Sequence, residues 1–315
     1  MNAYSFSTDP PRNWQPACMH AGLLFHTAQW QALLDRSFGS RTIYAWNSAT
    51  GCGSAITVFK AGPFEIGYLG FPFGGMLGSA ELDDNALLRA LQQRSSGLPT
   101  CIRVAVSAFG ANVPALDLPY VSTPESAIVE LESWDLASAS ANIRRDVKKA
   151  GRSGLDVIDG TDPSVGTAIF EMYRATVQRF SGSMRYSKQY FSNLVELSKV
   201  NPNLRVLIAK MDDEIAGFNV VVCHGDTAFY LHGGTRLVLR EHRPASILMN
   251  EAIRWGQDSN CKSFNLMSSP STQPSLVQYK EKWGAETKEH RTYTLPLRRS
   301  YQLMRIAERL YRIVR

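Results

Sequence analysis

The feature that most constrains this chain is that its two halves repeat one order of elements. A helical pattern at 23–38 precedes three strand patterns at 42–46, 54–59 and 64–70. A glycine-rich link at 71–78 then leads to an amphipathic helix at 81–94 and a strand at 102–107. In the second half, helical patterns at 163–180 and 188–199 precede strands at 204–210, 215–223 and 227–233, a polar link, a helix at 245–257 and a strand through Phe264 and Leu266. The stretch from Trp30 to Val106 falls on Phe191 to Leu266 with an offset of about 160 residues, far beyond solenoid periods. This is a duplicated domain, not an array. Three strands in meander order pair antiparallel, and a helix crossing to a fourth strand makes the last pair parallel. Each half is therefore expected to be α+β with a mixed sheet. A topological switch beside the third strand leaves backbone groups within reach of a ligand. The expected division is an N-terminal domain at 1–150, joined by the tail at 298–315, and a C-terminal domain at 151–297, with a cleft between them.

One segment at 263–285 stands out within that frame. It reads as a strand, a Ser/Pro/Thr loop and a short helix ending Tyr279-Lys280-Glu281-Lys282-Trp283-Gly284. Tyr279 and Trp283 are four apart and share a helix face that can anchor to a core. Lys280 points elsewhere, and Gly284 stops the helix. A lysine on a surface helix is by default a solvated one. Held rigidly beside a polar loop, it would suit a developing negative charge.

Composition bounds the function without choosing it. Hydrophobic residues at 44% and charged residues at 20% fit a soluble globular chain. The net charge of +6 permits an anionic partner such as RNA, a nucleotide-linked substrate or a membrane surface. The cysteines Cys18, Cys52, Cys101, Cys223 and Cys261 are scattered and odd in number, which fits neither a disulfide framework nor a zinc site. The histidines make no metal-ligand spacing, so no metal is expected. With no signal-peptide core and no apolar run of spanning length, the expected compartment is a reducing cytoplasm.

Three motifs carry a family likeness. They are the basic helix Asn142-Ile143-Arg144-Arg145-Asp146-Val147-Lys148-Lys149-Ala150-Gly151, the segment from Tyr173 through Gln178-Arg179-Phe180 and Arg185-Tyr186 to Tyr190-Phe191, and the ending from Tyr279 to Gly284. In that order and spacing the chain resembles tandem GNAT acyltransferases of the Fem-type aminoacyltransferase-like branch. The resemblance implies transfer of an aminoacyl group from aminoacyl-tRNA, or an acyl group from coenzyme A, onto an amine. Neither donor is a tightly bound cofactor. It also implies that Lys280 sits in the acyl-transfer pocket of the second domain, with Tyr279 beside it. Arg185, Tyr186 and Tyr190 match a segment that helps hold a diphosphate-bearing acceptor.

The link at 237–246, LVLREHRPAS, lies where coenzyme A-binding GNAT enzymes place an R/Q-x-x-G-x-G/A loop that grips pyrophosphate. Arg240 and Ala245 fit its ends and Pro244 suits a first helical position, but Arg243 replaces the middle glycine. An anion site at Arg240, Arg243, Ala245 and Ser246 and a solvated basic turn are both open. The first-half link is followed by Glu81, Asp83 and Asp84, carboxylates that satisfy a helix dipole and repel phosphate. The first domain is thus expected to be a degenerate copy on the acceptor side.

No general base is evident: Glu281 and Asp226 qualify by position only, and His232 on a strand reads as a packed histidine. The tail presents Leu303, Ile306, Leu310 and Ile313 as an apolar stripe among Arg298, Arg299, Arg305, Arg309, Arg312 and Arg315. Packing onto the first domain is the leading expectation for it, with an anionic membrane surface or tRNA phosphates as the others. The sequence thus points to an N-acyltransferase whose acceptor is an amine of a cell-envelope precursor, a sugar nucleotide or a peptide-like metabolite. The alternative is a catalytically silent tandem-GNAT protein recruited to RNA or a membrane by its basic C-terminal helix.

Overall fold

A computed structural model describes residues 4–74, 76–77, 84–94, 96–110, 116–179 and 184–313. In chain order the elements are β1 (Ser5–Ser7), α1 (Trp14–His20), α2 (Ala28–Phe38), β2 (Arg41–Asn47), β3 (Cys52–Ala61), β4 (Phe64–Leu69), α3 (Asp84–Gln93) and β5 (Cys101–Ala105). Then come β6 (Tyr120–Ile128), α4 (Ala141–Gly151), β7 (Leu155–Asp159), α5 (Pro163–Arg179), α6 (Lys188–Ser198), β8 (Leu204–Met211), β9 (Glu214–His224) and β10 (Thr227–Thr235). The chain closes with α7 (Pro244–Asp258), β11 (Ser263–Ser268), α8 (Pro274–Glu281), β12 (Glu286–Pro296) and α9 (Tyr301–Ile313).

Two compact units result: Met1–Ser122 with His290–Arg315, and Thr123–Glu289. In the first, β2, β3 and β4 pair antiparallel, and β4 pairs β5 in parallel. In the second, β8, β9 and β10 pair antiparallel, and β10 pairs β11 in parallel. The duplication read from element order is thus present in the strand pairing. An antiparallel neighbour completes each series, β12 against β5 and β6 against β11.

The strand patterns follow from what each face meets. In the first unit Ile43, Ala45, Ile56 and Val58 pack against Leu87 and Leu91 of α3. The alternate residues Tyr44, Trp46 and Ala55 pack against Trp14 and Cys18 of α1. A sheet covered on both faces needs apolar residues at every position, which is why β2 reads as a continuous run. In the second unit Leu248, Met249, Ala252 and Ile253 of α7 pack with Leu207, Ala209, Val221 and Phe264. Each fully buried Val, Leu, Ile, Phe or Met side chain among these contributes about 1.5–3 kcal/mol.

Several expectations are corrected. Residues up to Gly22 read from the sequence as an irregular arm, but they hold a strand and a helix, because Trp14 is fully buried and its indole N–H donates to the His26 carbonyl at 2.8 Å. The basic helix, which the sequence pattern extends over 137–150, is a 3-10 turn followed by α4, and it belongs to the second unit, so the division falls at Ser122/Thr123. Its apolar residues Ile143 and Ala150 join the core built on α7, a burial that spacing alone did not assign to a partner. The tail joins the first unit, as its leading expectation had it, but through another face: Tyr301 and Met304 of α9 pack with Cys101, while the stripe residues Leu303, Ile306 and Leu310 are exposed. Glu81, Asp83, Phe180, Arg315 and parts of the links at 71–80 and 181–187 lie outside the described residues, as do the side chains of Asp84, Arg312 and Ile313.

Candidate active site

The parallel ladder between β10 and β11 is short. It covers Thr227–Phe229 against Ser263–Asn265 and then stops. Just beyond, β10 is bulged between Tyr230 and His232 against β9. β11 is bulged between Asn265 and Ser268 against β6. Bulges bend a strand and end its pairing, so the two strands part and the β10 edge from Tyr230 to Thr235 has no β11 partner among the described residues. Gly233 is required here by close approach. A Cβ at this position would lie 1.8 Å from the Tyr230 hydroxyl and 2.7 Å from Asn219 Oδ1. Asn219 is 3% exposed, and its Nδ2 has no partner among the described residues. Neither residue stood out in the sequence; the Gly233-Gly234 pair inside a strand was the available signal.

Lys280 lies on the other side of the divergence, and it is buried rather than solvated, at 4% exposure. Its Nζ donates to the Met267 carbonyl at 2.7 Å and to Ser269 Oγ at 2.8 Å. Met267 sits in the β11 bulge with φ of 66°, a conformation that a side-chain-bearing residue holds only under constraint. Its N–H donates to Asn265 Oδ1 at 2.7 Å, and Asn265 Nδ2 donates to the buried Glu125 at 2.5 Å. The lysine, the amide and the carboxylate thus fix the bulge from both sides. Burial pulls the Lys280 pKa from 10.5 down to about 8, with Glu125 opposing the shift. An ammonium has three donors, and two are committed here.

A cationic pocket completes the arrangement. Arg145 and Lys149 from α4, Arg243 at the start of α7, and Tyr279 and Lys282 from the α8 end line a cavity of about 630 Å³, with Asp146 among them. Arg243 Nε lies 3.2 Å from Asp146 Oδ1. The N–H of Ser140, the cap of α4, donates to the Lys282 carbonyl at 2.8 Å, which ties α4 to the end of α8. Trp134 Nε1 donates to the Trp283 carbonyl at 2.9 Å. Gly284 takes φ of 83° to turn the chain there. Tyr279 meets Trp283 edge-on, with centroids 6.5 Å apart, and burial pushes its hydroxyl up to about 12.

Residues 137–281 match the family model described as an acetyltransferase (GNAT) domain. The crystal structure of FemX aligns at a TM-score of 0.63 with 12% identity, covering 91% of this chain and 96% of that one. The structure of L-PGS from Bacillus licheniformis aligns at 0.59 with 14% identity, covering 95% of each. The C-terminal domain (DUF2156) of a putative lysylphosphatidylglycerol synthetase from Agrobacterium fabrum aligns at 0.58 with 13% identity, covering 92% of this chain and 94% of that one. The chain has a Fem-like GNAT fold. A search of curated protein sequences returned no match.

Against the Fem-like GNAT fold, the remaining expected site residues fall into two groups. Arg243, expected at the anion-binding link, and Tyr279, expected beside Lys280 as a substrate-binding residue, line one cavity. Arg240 does not join them: it is exposed in the 3-10 turn Leu237–His242, and its carbonyl accepts the Arg243 N–H at 3.1 Å. Arg243 takes the left-handed φ of 62° that the missing glycine would have supplied, and Pro244 opens α7. Ala245 is exposed, whereas Ser246 is buried and its N–H is spent on the Arg243 carbonyl at 3.0 Å.

The second group is aromatic. Tyr186 stacks on Tyr190 with centroids 4.7 Å apart, and both meet His232 edge-on. Tyr190 Oη lies 2.9 Å from His232 Nε2. Burial lowers the imidazole pKa to about 3, so it is neutral at physiological pH, as a packed histidine would be. The Arg185 side chain is exposed; only its N–H is engaged, donating to the Tyr173 hydroxyl at 3.1 Å. Of the positional bases, Asp226 pairs with Lys262 at 3.2 Å beside the paired end of β10, and Glu281 is exposed and accepts from Thr287 at 3.2 Å.

Proposed function

We propose that the second unit transfers an acyl or aminoacyl group from a phosphate-bearing donor to an amine. The donor is an acyl-coenzyme A or an aminoacyl-tRNA. The acceptor is an amine on a cell-envelope precursor, a sugar nucleotide or a peptide-like metabolite. The observation that carries this reading is the cationic pocket of Arg145, Lys149, Arg243 and Lys282; the first three lie inside the segment that matches the GNAT family model and Lys282 directly follows it. Those four cations face one carboxylate, Asp146, and guanidinium and ammonium groups form charge-assisted bonds to phosphate oxygens. The free edge of β10 supports the rest: an extended, amide-bearing donor arm can pair with it as an added strand does.

The chemistry then asks little of the protein. The neutral amine attacks the acyl carbon, the carbonyl oxygen takes up negative charge, and the thiol or ribose hydroxyl departs with a proton. Positioning and oxyanion stabilisation carry such a step. We assign Lys280 to this charge, through the one proton it has uncommitted and through its hold on the β11 bulge. Tyr186 and Tyr190, steadied by His232, are assigned to the acceptor side, with Arg185 at its rim. The name of one structural neighbour, lysylphosphatidylglycerol synthetase, supports keeping an aminoacyl group among the donors.

The test is mass spectrometry of products from an amine panel supplied separately with acetyl-coenzyme A and with charged tRNA. An N-acyl or N-aminoacyl product with either donor is the expected result. No product with either, from a protein shown to be folded, would overturn the assignment.

A further inference from the structure

The C-terminal helix α9 has two faces, and among the described residues only one is packed. Tyr301 and Met304 pack with Cys101 against the first unit, and Glu308 pairs with Arg103 of β5 at 2.8 Å. These contacts fix the rotation of the helix. On the opposite side, Leu303, Ile306 and Leu310 are 63%, 55% and 58% exposed. Their spacing of three and four residues places them in one stripe. Large aliphatic side chains aligned on a helix face and left in water are a surface that something covers.

The surroundings say what covers it. Arg299, Arg305 and Arg309 are exposed around the stripe, and among the described residues none is held in an ion pair. Arg305 and Arg309 also line, with Arg103, Tyr120 and Tyr301, a cavity of about 370 Å³ beside the helix, which has room for a phosphoryl group. An apolar stripe edged by unpaired arginines is complementary to a surface that is apolar below and anionic above. No helix among the described residues is long and apolar enough to cross a membrane, so a helix of this kind would lie in the plane of the interface. We propose that α9 docks the protein on an anionic phospholipid bilayer, burying Leu303, Ile306 and Leu310 among acyl chains while Arg299, Arg305 and Arg309 meet lipid phosphates.

This proposal does not depend on the acyltransferase reading, and its test has no activity readout. The full chain is floated with vesicles of phosphatidylcholine alone and of phosphatidylcholine with phosphatidylglycerol, at low and high salt. Binding is expected only to the anionic vesicles and is expected to weaken with salt. Leu303→Gln with Ile306→Gln and Leu310→Gln should lower it by about tenfold per side chain, with the melting temperature unchanged because all three are exposed. Arg299→Glu with Arg309→Glu should lower binding to anionic vesicles and flatten its salt dependence. Any of four results would overturn the proposal: no vesicle binding, equal binding to neutral vesicles, binding indifferent to both variants, or an oligomer in solution that the glutamine variant dissociates. Retention of a tRNA mixture in place of vesicles would do the same.

Discussion

Replacing Lys280 with methionine removes a buried charge at nearly constant shape, and the structure fixes how the consequence depends on pH. The wild-type ammonium is 4% exposed and its pKa falls from 10.5 to about 8. At 1.36 kcal/mol per pH unit, holding the charge in the folded state costs about 3 kcal/mol relative to the neutral amine. Because the folded pKa is the lower one, the unfolded chain binds more protons between pH 8 and 10.5. Wild-type stability therefore rises across that window relative to a variant without the group. Integrating the two titrations gives a relative gain of about 2.5 kcal/mol by pH 10 and almost none at pH 7. Against this, methionine leaves the Met267 carbonyl and Ser269 Oγ without their donor, a loss of about 1–3 kcal/mol each, largely independent of pH. The assay is urea unfolding of both proteins at pH 7, 8, 9 and 10, read as a difference so that other titrating groups cancel. The variant should be the less stable protein at pH 7, and the gap should widen by about 2.5 kcal/mol by pH 10. Parallel stabilities across the range would refute the burial argument. A variant equal to wild type at pH 7 would show that the desolvation cost and the lost bonds cancel, and the widening alone would then decide.

The other predictions concern the same unit. Arg145→Glu combined with Lys149→Glu should raise the KM for a phosphate-bearing donor by about tenfold or more and leave kcat nearly unchanged, with donor KM in wild type also rising with salt. His232 is kept neutral by burial at a pKa of about 3, below its usual 6.5. The unfolded chain alone protonates as pH falls from 6.5, so about 3 kcal/mol of stability should be lost by pH 4; His232→Gln should remove that part of the acid dependence in urea titrations. Gly233→Ala places a methyl 1.8 Å from the Tyr230 hydroxyl, and should cost about 1–3 kcal/mol in unfolding experiments while weakening donor use.

The element order of the two halves was legible because it rests on hydrophobic period and turn residues, both local properties. The meander-plus-crossover reading then fixed the pairing, antiparallel twice and parallel once, in each half. The anchoring of Tyr279 and Trp283 was legible for the same reason. What could not be read was anything decided by which distant surface an element meets. Ile143 and Ala150 announce an amphipathic helix, yet only packing against α7 assigns it to the second unit and turns Arg145 and Lys149 toward Arg243. Leu303, Ile306 and Leu310 resemble a buried stripe, whereas Tyr301, Met304 and the Glu308–Arg103 pair set the buried side of α9. The bulge at Met267 left no glycine as a mark, so the carbonyl that holds Lys280 was invisible. Arg243 hid the turn before α7 in the opposite way, by adopting a left-handed conformation that the expected loop reserves for glycine.

The central claim is that a phosphate-bearing donor seats in the second unit, between α4, the start of α7 and the end of α8. Hydrogen–deuterium exchange of the full chain, with and without coenzyme A and with and without tRNA, tests this directly. Protection within 141–151, 240–247 and 276–284 on adding one of the two is the predicted pattern. Protection confined to the first unit, or none with either at saturating concentration, would contradict it.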